Sequence, residues 1–497
     1  MGTILGEDAG KLLSIPVNTR LNKNMIVMGG PGTMKSRAII RNLIFQSIKR
    51  NESIIVTDPK GEMYTDTAEI CRQKGYDVKV FNLVDPTHSD SWNCLSELDG
   101  RSLMVQVLTN VIIANTNSGK TDIFWDNGEL NLLKSLVLLV FFNKDESLEK
   151  SLPIVYELLT KASINRLVNV FDQLGFDSPA KSAFNSFLEA SPTVKEGIYS
   201  GLTTRLQLLS DPQVQNILRS SDINLSAPAQ KKCAYYVIIS DQDSTMTFIS
   251  SLFFSFLFLK LIRYADSRPN KKCDVPVNLI LDEFNNIGKI GGKEDGSDFT
   301  KTLSVCRSRD IRVTLAIQSL GQLKNRYKDE LWSEIIGNCD TQLMLGCIDD
   351  DTAEYFSNQS GEMTIEINSN MQTRRTFSLA QVIPEYRHTE SKTSRKILLP
   401  DEVKRLPDTE LLCKIKGCNI LKLKKWDYTG HPLAKEIVPV DLNDYYPKTV
   451  LSPINVVVDY NIEGQSKTVK RNKDKKTSAG EQLEMPTMYL ETDKHNL

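Results

Sequence analysis

The chain has 497 residues, which is more than one hydrophobic core usually serves, so two domains or one elaborated core are expected. Its formal net charge is −1, from 61 Lys and Arg against 62 Asp and Glu, which argues against attraction of nucleic acid to the whole surface but allows a local basic lining. The 9 cysteines form no CxxC pair and indicate reduced thiols in a cytosolic compartment. The 4 histidines have no metal-binding spacing, so zinc chemistry is not expected.

The chain begins with an alternation of strand and helix patterns. Residues 25–30 are a short apolar run that ends in glycines, and residues 35–50 carry apolar side chains on one helical stripe. A strand at 53–59, a helix at 65–74 and a strand at 76–83 follow. This order predicts the beginning of a parallel α/β sheet.

From about residue 95 to residue 220 the strand patterns are replaced by long amphipathic stretches, which predict an inserted all-α domain. Two apolar runs, 130–142 and 249–262, are shorter than the roughly 20 residues that span a bilayer, so we expect buried helices in a soluble chain. Strand patterns return after the insertion, at 233–240, 277–284, 311–319, 341–347 and 410–417.

Two polar segments carry no clear pattern. Residues 361–397, which include Arg374 and Arg375, predict an extended or poorly ordered connection. From about Gly464 the chain is basic and then mixed in charge with few apolar side chains, so we expect a disordered tail over residues 451–497.

The sharpest local signal is a glycine-rich segment between the first predicted strand and helix. It follows the phosphate-loop pattern G-x-x-x-x-G-K-[S/T], whose backbone N–H groups wrap nucleotide phosphates. Its lysine would neutralise phosphate oxygens, and its serine hydroxyl would bind Mg²⁺. The alternative is a turn that only links strand to helix. The residues are Gly29, Gly30, Pro31, Gly32, Thr33, Met34, Lys35 and Ser36.

Met34 occupies the position of the second pattern glycine. A glycine there allows close approach to phosphate and torsions that a side chain resists. If the methionine keeps a strained conformation, the strain costs on the order of 1–3 kcal/mol.

Polar residues at the ends of two later strands complete a candidate ATPase site. Asp282 would reach the Mg²⁺ shell through water, and Glu283 would polarise the attacking water as general base. Gln318 would lie beside the γ-phosphate and sense it. Arg307 and Arg309 are candidates for an arginine finger that reaches a neighbouring subunit's nucleotide. The alternatives are a solvated strand end for the acids and surface salt bridges for the arginines.

Several segments together, in order from about 25 to 435, resemble the TraG/TraD-type coupling proteins of type IV secretion and conjugation, especially the branch on conjugative elements of Gram-positive bacteria. Besides the phosphate loop they are Thr57-Asp58-Pro59-Lys60-Gly61-Glu62, Phe124-Trp125-Asp126-Asn127, Ile239-Ser240-Asp241, Leu281-Asp282-Glu283-Phe284-Asn285-Asn286-Ile287-Gly288, Ala316-Ile317-Gln318-Ser319, Gly337-Asn338-Cys339-Asp340-Thr341 and Leu399-Pro400-Asp401-Glu402-Val403.

The resemblance implies a RecA-like P-loop nucleotide-binding domain with a mostly parallel central sheet and an inserted all-α domain. Residues 1–94 and 221–450 would form the nucleotide-binding domain, and residues 95–220 the insertion that recognises a relaxase–DNA cargo. The chain would act as a homohexameric ATPase with ATP and Mg²⁺, driving single- or double-stranded DNA into a type IV secretion channel.

The same resemblance assigns the site residues. Lys35 and Ser36 are the phosphate and Mg²⁺ contacts, and Asp282 and Glu283 form the second acidic motif. Gln318 is the sensor and Arg307 the finger that acts in trans, while Asp58, Lys60 and Glu62 lie near the nucleotide and couple it to the ring interface.

Family members usually begin with transmembrane helices. The implied location is therefore the inner face of the cell membrane, reached through an N-terminal anchor missing from this sequence or through a membrane partner.

Two other functions stay open on the sequence. One is a cargo-docking receptor that binds nucleotide weakly and without turnover, because Met34 replaces the loop glycine. The other is a ring helicase or chromosome-partitioning pump with the same ATPase core, over which the segments at 58–62 and 337–341 favour secretion.

Overall fold

The structure is a computed structural model that describes residues 2–116, 123–144, 148–293, 297–373 and 385–447. The predicted tail at 451–497 and the Arg374–Arg375 pair lie outside the described residues. Contacts divide the chain into two units, one of Met1–Gln46 with Val313–Lys435 and one of Ser47–Arg312 with Glu436–Leu497. The domain boundaries predicted from the sequence, at 94, 220 and 450, differ from the boundaries of these two units and remain a prediction.

The described strands are, in chain order, β1 (Gly2–Asp8), β2 (Lys11–Pro16), β3 (Met25–Met28), β4 (Ser53–Thr57), β5 (Asp77–Asn82), β6 (Cys233–Ile238), β7 (Val277–Leu281), β8 (Ile311–Ile317), β9 (Thr341–Met344), β10 (Glu362–Thr373), β11 (Glu385–Lys396), β12 (Glu410–Ile415) and β13 (Leu421–Lys424). The described α-helices are α1 (Arg41–Lys49), α2 (Glu62–Gln73), α3 (Ser102–Thr116), α4 (Ile123–Phe141), α5 (Leu152–Lys161), α6 (Ile164–Asp172), α7 (Pro179–Leu188), α8 (Pro192–Arg205), α9 (Pro212–Arg219), α10 (Thr247–Ser267), α11 (Ser297–Cys306), α12 (Leu320–Arg326), α13 (Leu331–Gly337), α14 (Asp350–Ser360) and α15 (Pro400–Lys404).

In the first unit, β3 is a central strand with parallel neighbours on both sides. It pairs with β8 and β9, and all four of its residues are buried, as expected for a continuous apolar run in a parallel sheet. The sheet continues from β9 through β12, β13 and β1 to β2 by antiparallel pairing. The residue after β3 therefore emerges at the carboxyl edge of a buried parallel core.

In the second unit, the strands β7, β4, β6 and β5 pair in that order and are all parallel. Parallel strands end at the same edge of a sheet, so residues that follow β4 and β7 lie side by side. The predicted strands at 53–59, 76–83, 233–240 and 277–284 correspond to these elements, and the parallel α/β prediction is confirmed.

Between β5 and β6, the described residues hold the helices α3 to α9 and no strand, in agreement with the helical pattern of the sequence. Helix α4 contacts α3, α5, α7 and α8, and α3 also packs on α10. The two apolar runs predicted as buried helices lie in α4 and α10, where Leu132, Leu136 and Phe253 are fully buried. Within the described residues α10 is also the one helix long and apolar enough to span a membrane, although 67% of its most apolar window is buried.

Several strands were not predicted. Strands β1 and β2 form a hairpin around Ala9 and Gly10, both with positive φ, a turn less obvious in sequence than Asn-Gly. Strand β13 is only four residues long.

The connection at 361–397, expected to be extended or poorly ordered, is extended in its described residues and is also regularly paired. They form an antiparallel two-stranded ribbon in which β10 pairs with β11 from Glu362 and Lys396 to Thr373 and Glu385. In β10, apolar Met363, Ile365 and Ile367 alternate with polar residues, which is the pattern of a strand that the sequence prediction did not use.

Candidate nucleotide-binding site

The segment after β3 forms a closed loop. The Gly29 N–H donates to Ile317 O at 3.0 Å, and the Thr33 hydroxyl donates to Gly30 O at 2.7 Å. A Cβ on Gly29 would lie 2.5 Å from the Thr33 hydroxyl oxygen, so this tight closure requires glycine at position 29. The loop therefore curls back over the end of a buried strand.

The loop has open space beside two of its glycines and a buried lysine at its end. A Cβ added to Gly30 or Gly32 would meet no atom within 4 Å, so the backbone there borders open space. Lys35 is buried, and its ammonium donates to Gly29 O at 2.6 Å. Half-exposed Ser36 begins a π-helical turn that continues into α1. Backbone N–H groups at a helix start, with a lysine and a serine hydroxyl, are the groups that hold a magnesium-bound phosphate chain.

Met34 has a φ of 66°, in the left-handed region that favours glycine. Its carbonyl accepts from Ala38 N at 2.7 Å, so the helix after the loop starts from this residue. Met34 thus adopts a backbone conformation that a glycine would adopt without strain, and this costs about 1–2 kcal/mol.

Gln318 adjoins the phosphate loop. It directly follows Ile317, the residue whose carbonyl accepts from Gly29. The Gln322 side chain accepts from Gln318 N at 3.3 Å and donates to the Gln318 amide oxygen at 3.4 Å, which orients that amide. The predicted sensor and the predicted loop are therefore neighbours within the first unit.

The acidic residues meet in the second unit. The Thr57 hydroxyl donates to Asp282 O at 2.6 Å, which joins the ends of β4 and β7. Tyr64 N donates to the Asp58 carboxylate at 2.9 Å. Burial raises the pKa of Asp58 to about 6 against the lowering effect of backbone hydrogen bonds, and the charge of Asp282 also raises it. Asp58 and Asp282 thus form a buried acidic pair.

Glu283 follows Asp282 in a sharp turn. Its φ of 47° is in the left-handed region, and its N–H donates to the Asp282 carboxylate at 3.1 Å. This turn ends β7 and directs the chain away from the strand axis. Asp282 is 7% exposed, while Glu283 is half-buried.

The two candidate finger arginines differ in their surroundings. Arg309 holds Asp266 with two hydrogen bonds, of 2.9 Å from Nε and 3.1 Å from Nη2. Arg307 is exposed in the 3-10 turn that follows α11. The assignment of Arg307 as the finger remains a prediction.

Sequence reasoning missed a residue at the loop. The Lys425 ammonium donates to Thr33 O at 3.0 Å, although the two residues are 392 positions apart in the chain. Lys425 directly follows β13, in a run that carries no nucleotide-binding pattern, so only the pairing of the strands reveals this contact.

The parallel strands and the loop after β3 define an α/β P-loop fold of the RecA-like class. The family described as "Type IV secretory system Conjugative DNA transfer" matches residues 6–445, and the chain belongs to this family. The resemblance to type IV coupling proteins is thereby confirmed, while the Gram-positive branch remains a prediction.

Relatives and solved structures agree with this assignment. Protein VirD4 of Rhizobium radiobacter is 25% identical over 431 residues, which are 82% of this chain and 59% of VirD4. The chain thus spans less than two thirds of that relative.

The fold is similar to that of the bacterial conjugative coupling protein TrwBΔN70 in unbound form, with a TM-score of 0.60, 18% identity and coverage of 82% of this chain and 85% of TrwBΔN70. It is also similar to TrwB in complex with ADP and Mg²⁺, with a TM-score of 0.59, 17% identity and the same two coverages of 82% and 85%.

Proposed function

We propose that the chain is the ATPase motor of a conjugative type IV secretion system, which couples a relaxase–DNA substrate to the channel and drives DNA transfer by ATP hydrolysis. Membership of the conjugative DNA transfer family supports the biological role. The observation that carries the enzymatic part is the closed loop at 29–36, with open space along Gly30 and Gly32 and a buried lysine at its base.

The residues of the first unit have distinct proposed roles. Backbone N–H groups of the loop bind the β- and γ-phosphates, and Lys35 neutralises their oxygens. The Ser36 hydroxyl holds Mg²⁺, and the Gln318 amide senses the γ-phosphate. TrwB, which has a similar fold, has been solved in complex with ADP and Mg²⁺, and this supports a nucleotide and Mg²⁺ as the ligands proposed here.

For the second unit, the proposal gives Asp282 a place in the Mg²⁺ shell through water and Glu283 the activation of the attacking water. The buried acid Asp58, whose pKa the charge of Asp282 helps to raise, supports an acidic site at the ends of β4 and β7. Arg307 is proposed to stabilise the transferred phosphoryl group in the next subunit of a homohexamer.

The proposed partners are single- or double-stranded DNA without sequence preference, a relaxase and the secretion channel. A net charge of −1 fits a ring whose positive surface is confined to its pore. We propose a position at the cytoplasmic face of the membrane, through an anchor or a membrane partner.

ATP turnover with and without DNA tests the motor. We expect ATP hydrolysis that DNA stimulates. Lys35→Ala should lower the rate of hydrolysis by at least about 100-fold, because it removes the positive charge that neutralises the phosphates. Lys49→Ala is the matched control, since Lys49 is exposed and is the last residue of α1, the helix that follows the loop. Ring assembly with nucleotide and DNA is checked in parallel by light scattering.

The same assay decides the alternative of a docking receptor with little turnover. Absence of hydrolysis in an assembled ring, unchanged by Met34→Gly, would contradict the motor. The left-handed conformation of Met34 favours the motor, because the backbone at this position has a φ that a pattern glycine would readily adopt.

A further inference from the structure

Lys425 is held firmly beside the phosphate loop. The backbone N–H of Lys425 donates to Thr409 O at 2.8 Å. The next two residues are also held: the Asn42 amide donates to Trp426 O at 3.1 Å, and Arg37 donates to the Asp427 carboxylate at 2.7 Å. These contacts join the segment after β13 to the neighbouring strand and to the helix that follows the loop. The position of the Lys425 ammonium is therefore set by the fold.

The contact with Thr33 O acts on the peptide unit that precedes Met34. A peptide is planar and trans, so its C=O and N–H groups point in opposite directions. With Thr33 O bound to Lys425 at 3.0 Å, the Met34 N–H points away from the lysine. The same bond fixes the plane on the N-terminal side of the Met34 φ angle of 66°.

The lysine is suited to this contact. It is half-buried, and in the part of the chain that the structure describes it makes no ion pair with a carboxylate. A hydrogen bond from a charged donor is roughly twice as strong as a neutral one. Burial, the larger effect, lowers the pKa of Lys425, and the charge of Asp408 raises it.

We propose that Lys425 is a positioning residue that holds the phosphate loop in its binding conformation, and so compensates for methionine at the position of the pattern glycine. The inference rests on the proposed nucleotide-binding function. It assigns Lys425 to the backbone of the loop and leaves the phosphate contacts to the loop and Lys35.

A double-mutant cycle tests this role through the dissociation constant for ATP with Mg²⁺, measured by calorimetry on the full chain. Lys425→Met, which keeps the aliphatic stem, is expected to weaken binding about tenfold when Met34 is present. In the Met34→Gly background the same change is expected to weaken binding less than about twofold, because glycine needs no support at positive φ.

Two variants control for charge and for folding. Lys424→Met removes the same charge one position earlier, from an exposed side chain, and should leave binding unchanged. Lys425→Arg retains a charged donor and should recover most of the affinity lost in Lys425→Met. If Lys425→Met fails to fold, the added Met34→Gly change should restore folding, and failure in both backgrounds overturns the proposal.

The remaining outcomes are distinct. Equal losses in the two backgrounds would mean that Lys425 contacts the nucleotide itself, and no loss in either would mean that it does not support the loop; both overturn the inference. If the unchanged chain binds no nucleotide, the proposed function fails instead. The cycle is then scored by the thermal midpoint without ligand, where a larger drop with Met34 than with glycine still supports the positioning role.

Discussion

At two candidate site positions, residues with side chains occupy the left-handed region. Met34 has φ 66° and Glu283 has φ 47°, one after β3 and the other after β7. Such conformations persist only where surrounding contacts hold them, and they concentrate at functional sites. Both residues follow strands that are fully buried, which provides that support.

Replacing Met34 by glycine should change stability little. Relief of the left-handed conformation gains about 1–2 kcal/mol, and the greater freedom of glycine in the unfolded chain offsets roughly 0.4–1 kcal/mol of it. We expect the free energy of unfolding in urea to rise by roughly 0–1.6 kcal/mol, the difference between these two effects. Met34→Ala is the control, because it keeps a Cβ and gains nothing from relief. ATP hydrolysis found only in Met34→Gly would show that the natural loop is impaired.

Asp58 predicts a pH dependence of stability. Its folded pKa of about 6 lies above the ordinary value of 3.8, so between these values the folded state binds more protons than the unfolded state. Stability should therefore fall as pH rises from about 4 to about 6 and stay lower above, by on the order of 3 kcal/mol from this group.

The measurement for this prediction is urea unfolding at pH 5 and pH 7.5. Asp58→Asn keeps an acceptor for Tyr64 N and removes the charge, so it should flatten the pH dependence and raise stability at pH 7.5. An unchanged pH profile in Asp58→Asn would assign the effect to other groups.

At the scale of elements, the loop after β7 is fastened to two helices of the second unit. Ser250 and Ser255 of α10 bond to Ile287 O and Gly291 N, at 2.7 and 2.9 Å. The Asn115 amide of α3 accepts from Lys289 N at 2.8 Å and donates to Lys289 O at 3.1 Å. The acidic motif is thus connected to a helix of the predicted insertion.

Asn115→Ala should destabilise the chain by about 1–3 kcal/mol, because it leaves the Lys289 N–H without this partner, while Lys289 O keeps the Ser251 hydroxyl. Chemical unfolding provides the measurement. Gln106→Ala on the same helix is the control, since Gln106 bonds to Asn110 one turn later and should cost less. Equal effects of the two changes would argue that Asn115 does not hold the loop.

At the scale of the whole molecule, the proposed ring can be tested through Arg307. Mixing Arg307→Ala with Lys35→Ala subunits should restore part of the ATP hydrolysis, because an intact loop in one subunit then meets an intact arginine in the next. Neither variant alone should be active. The measurement is ATPase rate against mixing ratio.

Arg309→Ala is the comparison for this experiment. Its partner Asp266 lies in the same chain, so its loss should lower stability by roughly 1 kcal/mol and give no recovery that depends on mixing. Recovery with Arg309→Ala and none with Arg307→Ala would reverse the assignment of the finger.

Much of the fold was predictable because its core strands are apolar runs bounded by turns. The parallel strands and the buried helices α4 and α10 are of this kind. Strand β11 was not, since its residues lack the apolar alternation of a half-buried strand, whereas β10 carries that alternation at Met363, Ile365 and Ile367. The four-residue strand β13 was also not predictable, because only its pairing with β1 and β12 defines it.

Local pattern was sufficient to place the phosphate loop, the acids after β7 and Gln318 at the ends of their strands, and their roles in a site remain predictions. Tertiary structure decided what depends on distant parts of the chain. It paired Arg309 with Asp266, and gave Met34 its left-handed conformation. It also brought Lys425 to Thr33 across 392 positions. Such contacts arise from strand pairing between remote segments, and no short stretch of sequence records that pairing.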